Sequence, residues 1–249
     1  MCGRYALTKL PAELLEEFEI DTGASLAAHL PLLPADWNIA PTREIYFVRN
    51  GADNVRTLAT ASWGIIAPWS KDSSAALRSQ SQAINARSES VDEKPTFRSA
   101  FRNRRCLIPA DGYYEWATEL GPFKPKQPFY ISHEEWSSKR KSLVFAGIWD
   151  RWVSSDGKVV DSAAIITRPA VGFLATVHSR MPTFLPEDRW DDWLDRSIQD
   201  VNEIRNLMDV AEPDRGLKVR PVADLVNSIR NNGAELIEPI ELGAPETLF

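Results

Sequence analysis

The sequence predicts an α+β fold with a curved, mostly antiparallel, barrel-like β-sheet core and helices at its periphery. Three observations carry this expectation. Apolar, β-branched and aromatic runs of strand length dominate the chain, from EIYFV to SAAIIT. Their connections are short and turn-forming, so neighbouring strands return antiparallel. Helical periodicity is confined to a few short stretches. No linker divides the 249 residues, so the expected unit is a single domain over 1–249.

Taken in order, PAELLEEFEI reads as a short amphipathic helix with Pro11 in its first turn. The stretch Asp21 to Asp36, with PLLP inside it, reads as a variable connection. WNIAPTREIYFVRNGADNVRTLATASWGII is expected to form two strands joined by a turn at Asn50-Gly51. Ser70 to Ser90 is polar and reads as a surface loop running into NARSES. RCLIPADGYYEWA reads as a strand, a turn at Asp111-Gly112 and an aromatic strand. LVFAGIWDRWVSSDGKVVDSAAIITRPA is the clearest hairpin, with SSDG at its tip. PEDRWDDWLD opens with proline and two acids, as a helix N-terminus does, and sets Trp190 and Trp193 on one face. VNEIRNLMDV reads as a further helix.

Composition excludes several classes. Hydrophobic content of 43% and charged content of 26% suit a globular core. The two cysteines, Cys2 and Cys106, make no disulfide framework and no zinc spacing. Cys106, inside CLIP, reads as a buried, inert thiol. No signal peptide and no membrane-length apolar run appears, and the expected compartment is the cytoplasm. A net charge of −6 argues against general coating of nucleic acid. The run TFRSAFRNRRC, with Arg98, Arg102, Arg104 and Arg105 and no acid, still leaves room for a local basic groove; such a run is also the usual look of a solvated face.

The opening MCGRYALT poses a chemical question. Cys2 is small enough for Met1 to be trimmed during synthesis, which would leave an α-amine and a thiol on one residue. A 1,2-aminothiol can condense with an aldehyde and close the imine into a five-membered ring. Its amine, with a pKa of about 8, can also take the thiol's proton. A cysteine at a frayed terminus with no role is the plainer alternative.

Further candidates are polar residues embedded in apolar runs. Glu115 stands between Tyr114 and Trp116, either as a solvent-facing strand residue or as a buried carboxylate with a raised pKa. His178, in ATVHSRMP, is a structural histidine or a proton carrier. Asn85, in AINARSES, terminates a strand or serves the same site. Trp63 and Trp69, in SWGIIAPWS, read singly as core.

MCGR, NIAPT, WGIIAPW, NARSES, RRCLIPADGYYEW, FAGIWDRW, IIT and VHSRMP follow one another across residues 2 to 182. This series resembles the SRAP family, named for an SOS-response-associated peptidase and associated with abasic-site shielding. The resemblance extends to NSIRNNGAELIEPI near the end. It implies a covalent thiazolidine crosslink between Cys2 and abasic sites in single-stranded DNA. It implies that Asn85 orients the sugar or the terminus, that Glu115 is acid and base at the α-amine, and that His178 moves protons at the sugar. Arg4 and Arg87 would hold phosphates, and Pro41, Trp63 and Trp69 would support unstacked bases. No metal or organic cofactor is called for, and a monomer without an obligate protein partner is expected. Tyr5 for phenylalanine and SES for SET are departures outside the chemistry. The end at APETLF, without a clamp-binding peptide, points to a bacterial-type protein, nucleoid-associated when on DNA. The competing reading is an N-terminal-cysteine hydrolase, a peptidase or a glutamine amidotransferase, although no arginine-aspartate substrate clamp is visible. A DNA-binding module that senses damage without chemistry is the non-enzymatic alternative.

Overall fold

The computed structural model describes residues 2–21, 30–51, 54–118, 122–134 and 141–242. Twelve strands are present among them: β1 (Arg4–Leu7), β2 (Asp36–Ile39), β3 (Glu44–Asn50), β4 (Arg56–Trp63), β5 (Asn85–Arg87), β6 (Arg105–Ala110), β7 (Gly112–Trp116), β8 (Pro128–His133), β9 (Leu143–Val153), β10 (Val159–Pro169), β11 (Arg180–Pro182) and β12 (Leu217–Pro221).

Strands β10, β4, β3, β6 and β9 form a closed ring, because β9 and β10 pair with each other as well as with their other neighbours. All ring pairings are antiparallel except β4 with β10. β10 is long enough to change partners. Its far half takes β5 in parallel register, Ile165 opposite Asn85 and Thr167 opposite Arg87. It then takes β11 antiparallel, Pro169 opposite Arg180. A second, antiparallel sheet has the order β12-β8-β7-β1-β2. The expected barrel-like α+β architecture is thus present.

Alternation along β1 and β7 explains how the second sheet sits. Tyr5 and Tyr113 face the barrel, where Tyr5 meets Trp63 and Phe145 edge-on at 5.2 and 6.1 Å between ring centroids. Ala6 and Tyr114 point the other way, into a smaller cluster with Val222, Val226 and Leu236. Both faces of β7 are therefore covered, and any polar residue on it loses water. Gly112 opens the strand because a Cβ there would lie 2.4 Å from the Tyr130 hydroxyl.

The helix at Pro11–Glu17 carries Pro at its start as expected. The hairpin is β9–β10, and its turn closes with Ser154 and Lys158. Trp190 and Trp193 are buried on one short helix, and the helix Val201–Met208 follows, capped by the Asp200 carboxylate.

Four expectations are corrected. The polar stretch after Ser70 holds a helix, Ser73–Gln82, whose first turn is capped by Asp72 accepting from the Ala75 N–H. Its apolar signal is weak because it buries only Ala76 and Gln80. The stretch from Trp37 contains three strands, since β2 precedes the β3–β4 hairpin. Asp111-Gly112 passes the chain from the barrel to the second sheet; β6 pairs with β3 and β9, and β7 with β1 and β8. The arginine run is not one solvated face. Arg105 is 4% exposed, and its N–H groups donate to the carbonyls of Trp193, Phe101, Arg102, Asp195 and Ile198. Burial pulls its pKa down to about 10. Arg104 is paired with Asp150 at 3.0 Å. Residues 22–29 of the Asp21–Asp36 connection, residue 1 and the chain end at APETLF lie outside the described residues. No helix among the described residues is long and apolar enough to cross a membrane.

Candidate active site at the N-terminal cysteine

Cys2 lies just ahead of β1 and is fully buried. Its carbonyl accepts a hydrogen bond from Asn85 Nδ2 at 2.8 Å. Its thiol points back to the Arg4 carbonyl at 3.9 Å. β5 places Asn85 here because β5 runs beside β10 at the rim of the barrel. The other amide atom, Asn85 Oδ1, is buried without a hydrogen-bond partner, an acceptor left over in a site that already uses the donor.

Glu115 comes from β7, on the face it shares with Tyr113, and is 4% exposed. That burial raises its pKa from 4.5 to about 7. At neutral pH both its acid and its base forms are populated. Burial and the Glu115 carboxylate together push the Cys2 thiol well above its usual 9. Cys2 therefore needs a base before it can attack as a thiolate.

His178 follows the short helix Leu174–Val177 and precedes β11. Its Nδ1 is 4.0 Å from Glu115 Oε1. The backbone N–H of Arg180 donates to Nδ1 at 2.9 Å. The Arg180 carbonyl also lies 3.3 Å from Nδ1, so Nδ1 accepts from the N–H when the ring's proton is on Nε2 and can donate to the carbonyl when the proton is on Nδ1. Burial lowers the ring's pKa from 6.5, which favours the neutral ring over the imidazolium. Arg180 itself is held by a two-pronged ion pair with Glu89, which drops the Glu89 carboxyl to about 2, and by Thr167. Cys2, Asn85, Glu115 and His178 thus meet in one place, although 176 residues separate the first from the last in sequence.

The expected DNA-contacting residues divide. Arg87 ends β5 and is exposed. Pro41 is half-buried in the turn between β2 and β3, and the turn is pinned to the Trp63 backbone through Thr42 and Arg43. Trp69 is 58% exposed. Trp63 is a correction: it is 0% exposed, stacks edge-on against Tyr5 and donates its indole N–H to Ile84. It offers no face to a base. Arg4 is partly committed, since its Nη1 donates to Asn38 Oδ1 and to the Val226 carbonyl at 2.7 and 2.8 Å. Asn38 and Arg180 were not singled out beforehand, though each lies in a quoted motif, NIAPT and VHSRMP. Only the tertiary contacts show what they hold.

Residues 1–229 match the family described as SOS response associated peptidase (SRAP). The chain belongs to the SRAP family. The abasic site processing protein YoqW of Bacillus subtilis is 34% identical over 241 residues, which span 96% of this chain and 99% of YoqW. The abasic site processing protein HMCES of Gallus gallus is 32% identical over 218 residues, 80% of this chain and 62% of HMCES. A crystal structure of a Bacteroides thetaiotaomicron protein shares the fold with a TM-score of 0.79 at 21% identity, covering 96% of this chain and all of that one. A Bordetella bronchiseptica protein of 26% identity superimposes with a TM-score of 0.70 over 89% of this chain. The family match over residues 1–229 spans β1 through β12 and includes all four clustered residues.

Proposed function

We propose that this protein shields abasic sites in single-stranded DNA by forming a thiazolidine crosslink through Cys2, once Met1 has been removed. Relatives over nearly the whole chain are named abasic site processing proteins, which puts the chain in abasic-site DNA damage processing. The finer reading rests on one observation: Cys2, held through its carbonyl by Asn85, meets a buried carboxyl of pKa about 7 and a neutral imidazole.

The abasic deoxyribose must first open to its aldehyde. His178 moves protons between the sugar hydroxyl and the ring oxygen in that step. The Cys2 amine then adds to the aldehyde carbon. Glu115 takes a proton from the amine and returns one to the departing hydroxyl, which leaves as water and gives the imine. The thiol next adds to the imine carbon; its proton passes through the basic form of Glu115 to the ring nitrogen. The sum is aminothiol plus aldehyde giving thiazolidine plus one water, with no net gain or loss of protons. Asn85 Oδ1, the leftover acceptor, suits a sugar hydroxyl. Arg87 and Trp69 supply the charge and the exposed ring that hold the flanking strand.

The test is intact mass and denaturing gel after incubation with an oligonucleotide bearing one abasic site. The expected product is a heat-stable one-to-one adduct on protein lacking Met1, mapped to Cys2. Adduct formation by protein that retains Met1, or an adduct mapped elsewhere, refutes the mechanism, because an acylated amine cannot form the ring.

A further inference from the structure

The stretch NSIRNNG plays no part in the chemistry above, yet its backbone grips the N-terminal strand. Asn38 on β2 is 2% exposed. Its Oδ1 accepts from Arg4 Nη1 at 2.7 Å. Its Nδ2 donates to the carbonyls of Val226, Ser228 and Asn231 at 3.3, 3.0 and 3.0 Å. Arg4 reaches the same stretch, through Nη1 to Val226 O at 2.8 Å and through Nη2 to Asn227 O at 3.4 Å. One amide therefore knots three segments that are remote in sequence. Both ends of the amide are satisfied, as a buried polar group requires.

The knot lies at the hinge of the nucleophile. Arg4 is the first residue of β1, so strand pairing secures the chain only from there onward. Gly3, with no Cβ to restrict it, separates Arg4 from Cys2. Beyond β1, Cys2 is held by the Asn85 bond and by a long thiol contact to the Arg4 carbonyl.

We propose that Asn38 is a positioning residue, locking Arg4 onto the 226–231 carbonyls and so setting where Cys2 can reach. The proposal rests on Cys2 being the nucleophile. Asn38 acts through Arg4 and contributes no group to the reaction. It also gives Arg4 a role besides any phosphate contact.

The experiment is alkylation of folded protein with iodoacetamide, read at Cys2 and Cys106 by peptide mass, beside single-turnover crosslinking at saturating abasic oligonucleotide. Both thiols are buried, so both react slowly in the wild type. Asn38→Ala is expected to raise Cys2 alkylation about 10-fold or more, the scale of losing charge-assisted hydrogen bonds. It should lower the crosslinking rate while leaving Cys106 protected. Arg4→Gln should reproduce the Cys2 exposure, and the double variant should add nothing further, since both changes undo one knot. Cys2 protection at the wild-type level in either folded variant overturns the proposal. So does a parallel rise at Cys106, which marks general loosening. Should Asn38→Ala fail to fold, Arg4→Gln decides alone. Failure of the wild type to crosslink would sink the mechanism of Cys2 while the alkylation pattern still reports on the knot.

Discussion

Replacing Glu115 by glutamine should make the protein slower and more stable at once. The carboxyl is 4% exposed, and burial raises its pKa from 4.5 to about 7. A carboxyl that binds its proton more tightly when folded stabilises the fold only while protonated. Between about pH 4.5 and pH 7 the folded state holds more protons than the unfolded chain, so stability falls as pH rises through that window. Each tenfold change in proton affinity is worth about 1.4 kcal/mol, so the ionised carboxylate costs the fold about 3 kcal/mol above the window. Glu115→Gln keeps the shape and removes the charge. Its stability relative to wild type should therefore improve from pH 5 to pH 8 by up to about 3 kcal/mol. The difference between the two proteins is the quantity to follow, because titrating groups remote from Glu115 then cancel. Urea unfolding at several pH values measures it. Crosslinking in the same variant should slow by about 10-fold or more, within the range of general acid–base catalysis. A stability difference that does not change with pH would refute the buried, raised carboxyl. Wild-type crosslinking would refute its role as acid and base.

Cys2→Ser should lose the heat-stable adduct yet keep an imine that borohydride traps, because the amine is unaltered and a hydroxyl closes the ring poorly; a normal yield of stable adduct without reduction would contradict the thiol's role. Arg87→Ala should weaken binding to an undamaged single strand and lower the slope of log K against log salt by about 0.7, measured by fluorescence titration; an unchanged slope removes Arg87 from the phosphate path. Trp69→Ala should weaken that binding by about 1–3 kcal/mol without loss of stability. Trp63→Ala should instead destabilise the fold by about 3–5 kcal/mol, as read by thermal unfolding. Glutamine should release no ammonia on incubation with the protein; steady release would revive the hydrolase alternative.

Local signals in the chain marked those elements whose own residues carry them. Pro11 opens its helix, β9 and β10 alternate around SSDG, and Trp190 and Trp193 fall on one helical face. Elements defined by their partners were hidden. The helix Ser73–Gln82 is too polar to show an apolar stripe and is held by its Asp72 cap and by Gln80 bonding to Ser62. β5, three residues long, exists because β10 offers it an edge. Asp111-Gly112 looks like any hairpin turn, and only the pairing of β7 with β1 shows that the chain has changed sheets there. Arg105 looks like its neighbours in the basic run, and its five N–H groups are committed to carbonyls that lie up to 93 residues away.

The candidate site divides along the same line. By itself the sequence determined which chemistry the chain can carry: a cysteine directly after Met1, an asparagine, a glutamate and a histidine in apolar runs, and the ordered motifs of the SRAP family. Those are properties of covalent structure and of pattern, and they survive without a fold. Tertiary structure alone decided how each group behaves. It buried Trp63 and left Trp69 exposed, though the two are six residues apart in one motif. It tied Arg4 to Asn38 and Val226, drew Asn85 to the Cys2 carbonyl, and set the Arg180 backbone against His178 Nδ1. It moved Glu115 from an ordinary carboxylate to one that titrates near neutrality. The physical reason is that desolvation and hydrogen bonding are sums over everything packed around an atom, and most of what surrounds these atoms is remote in sequence.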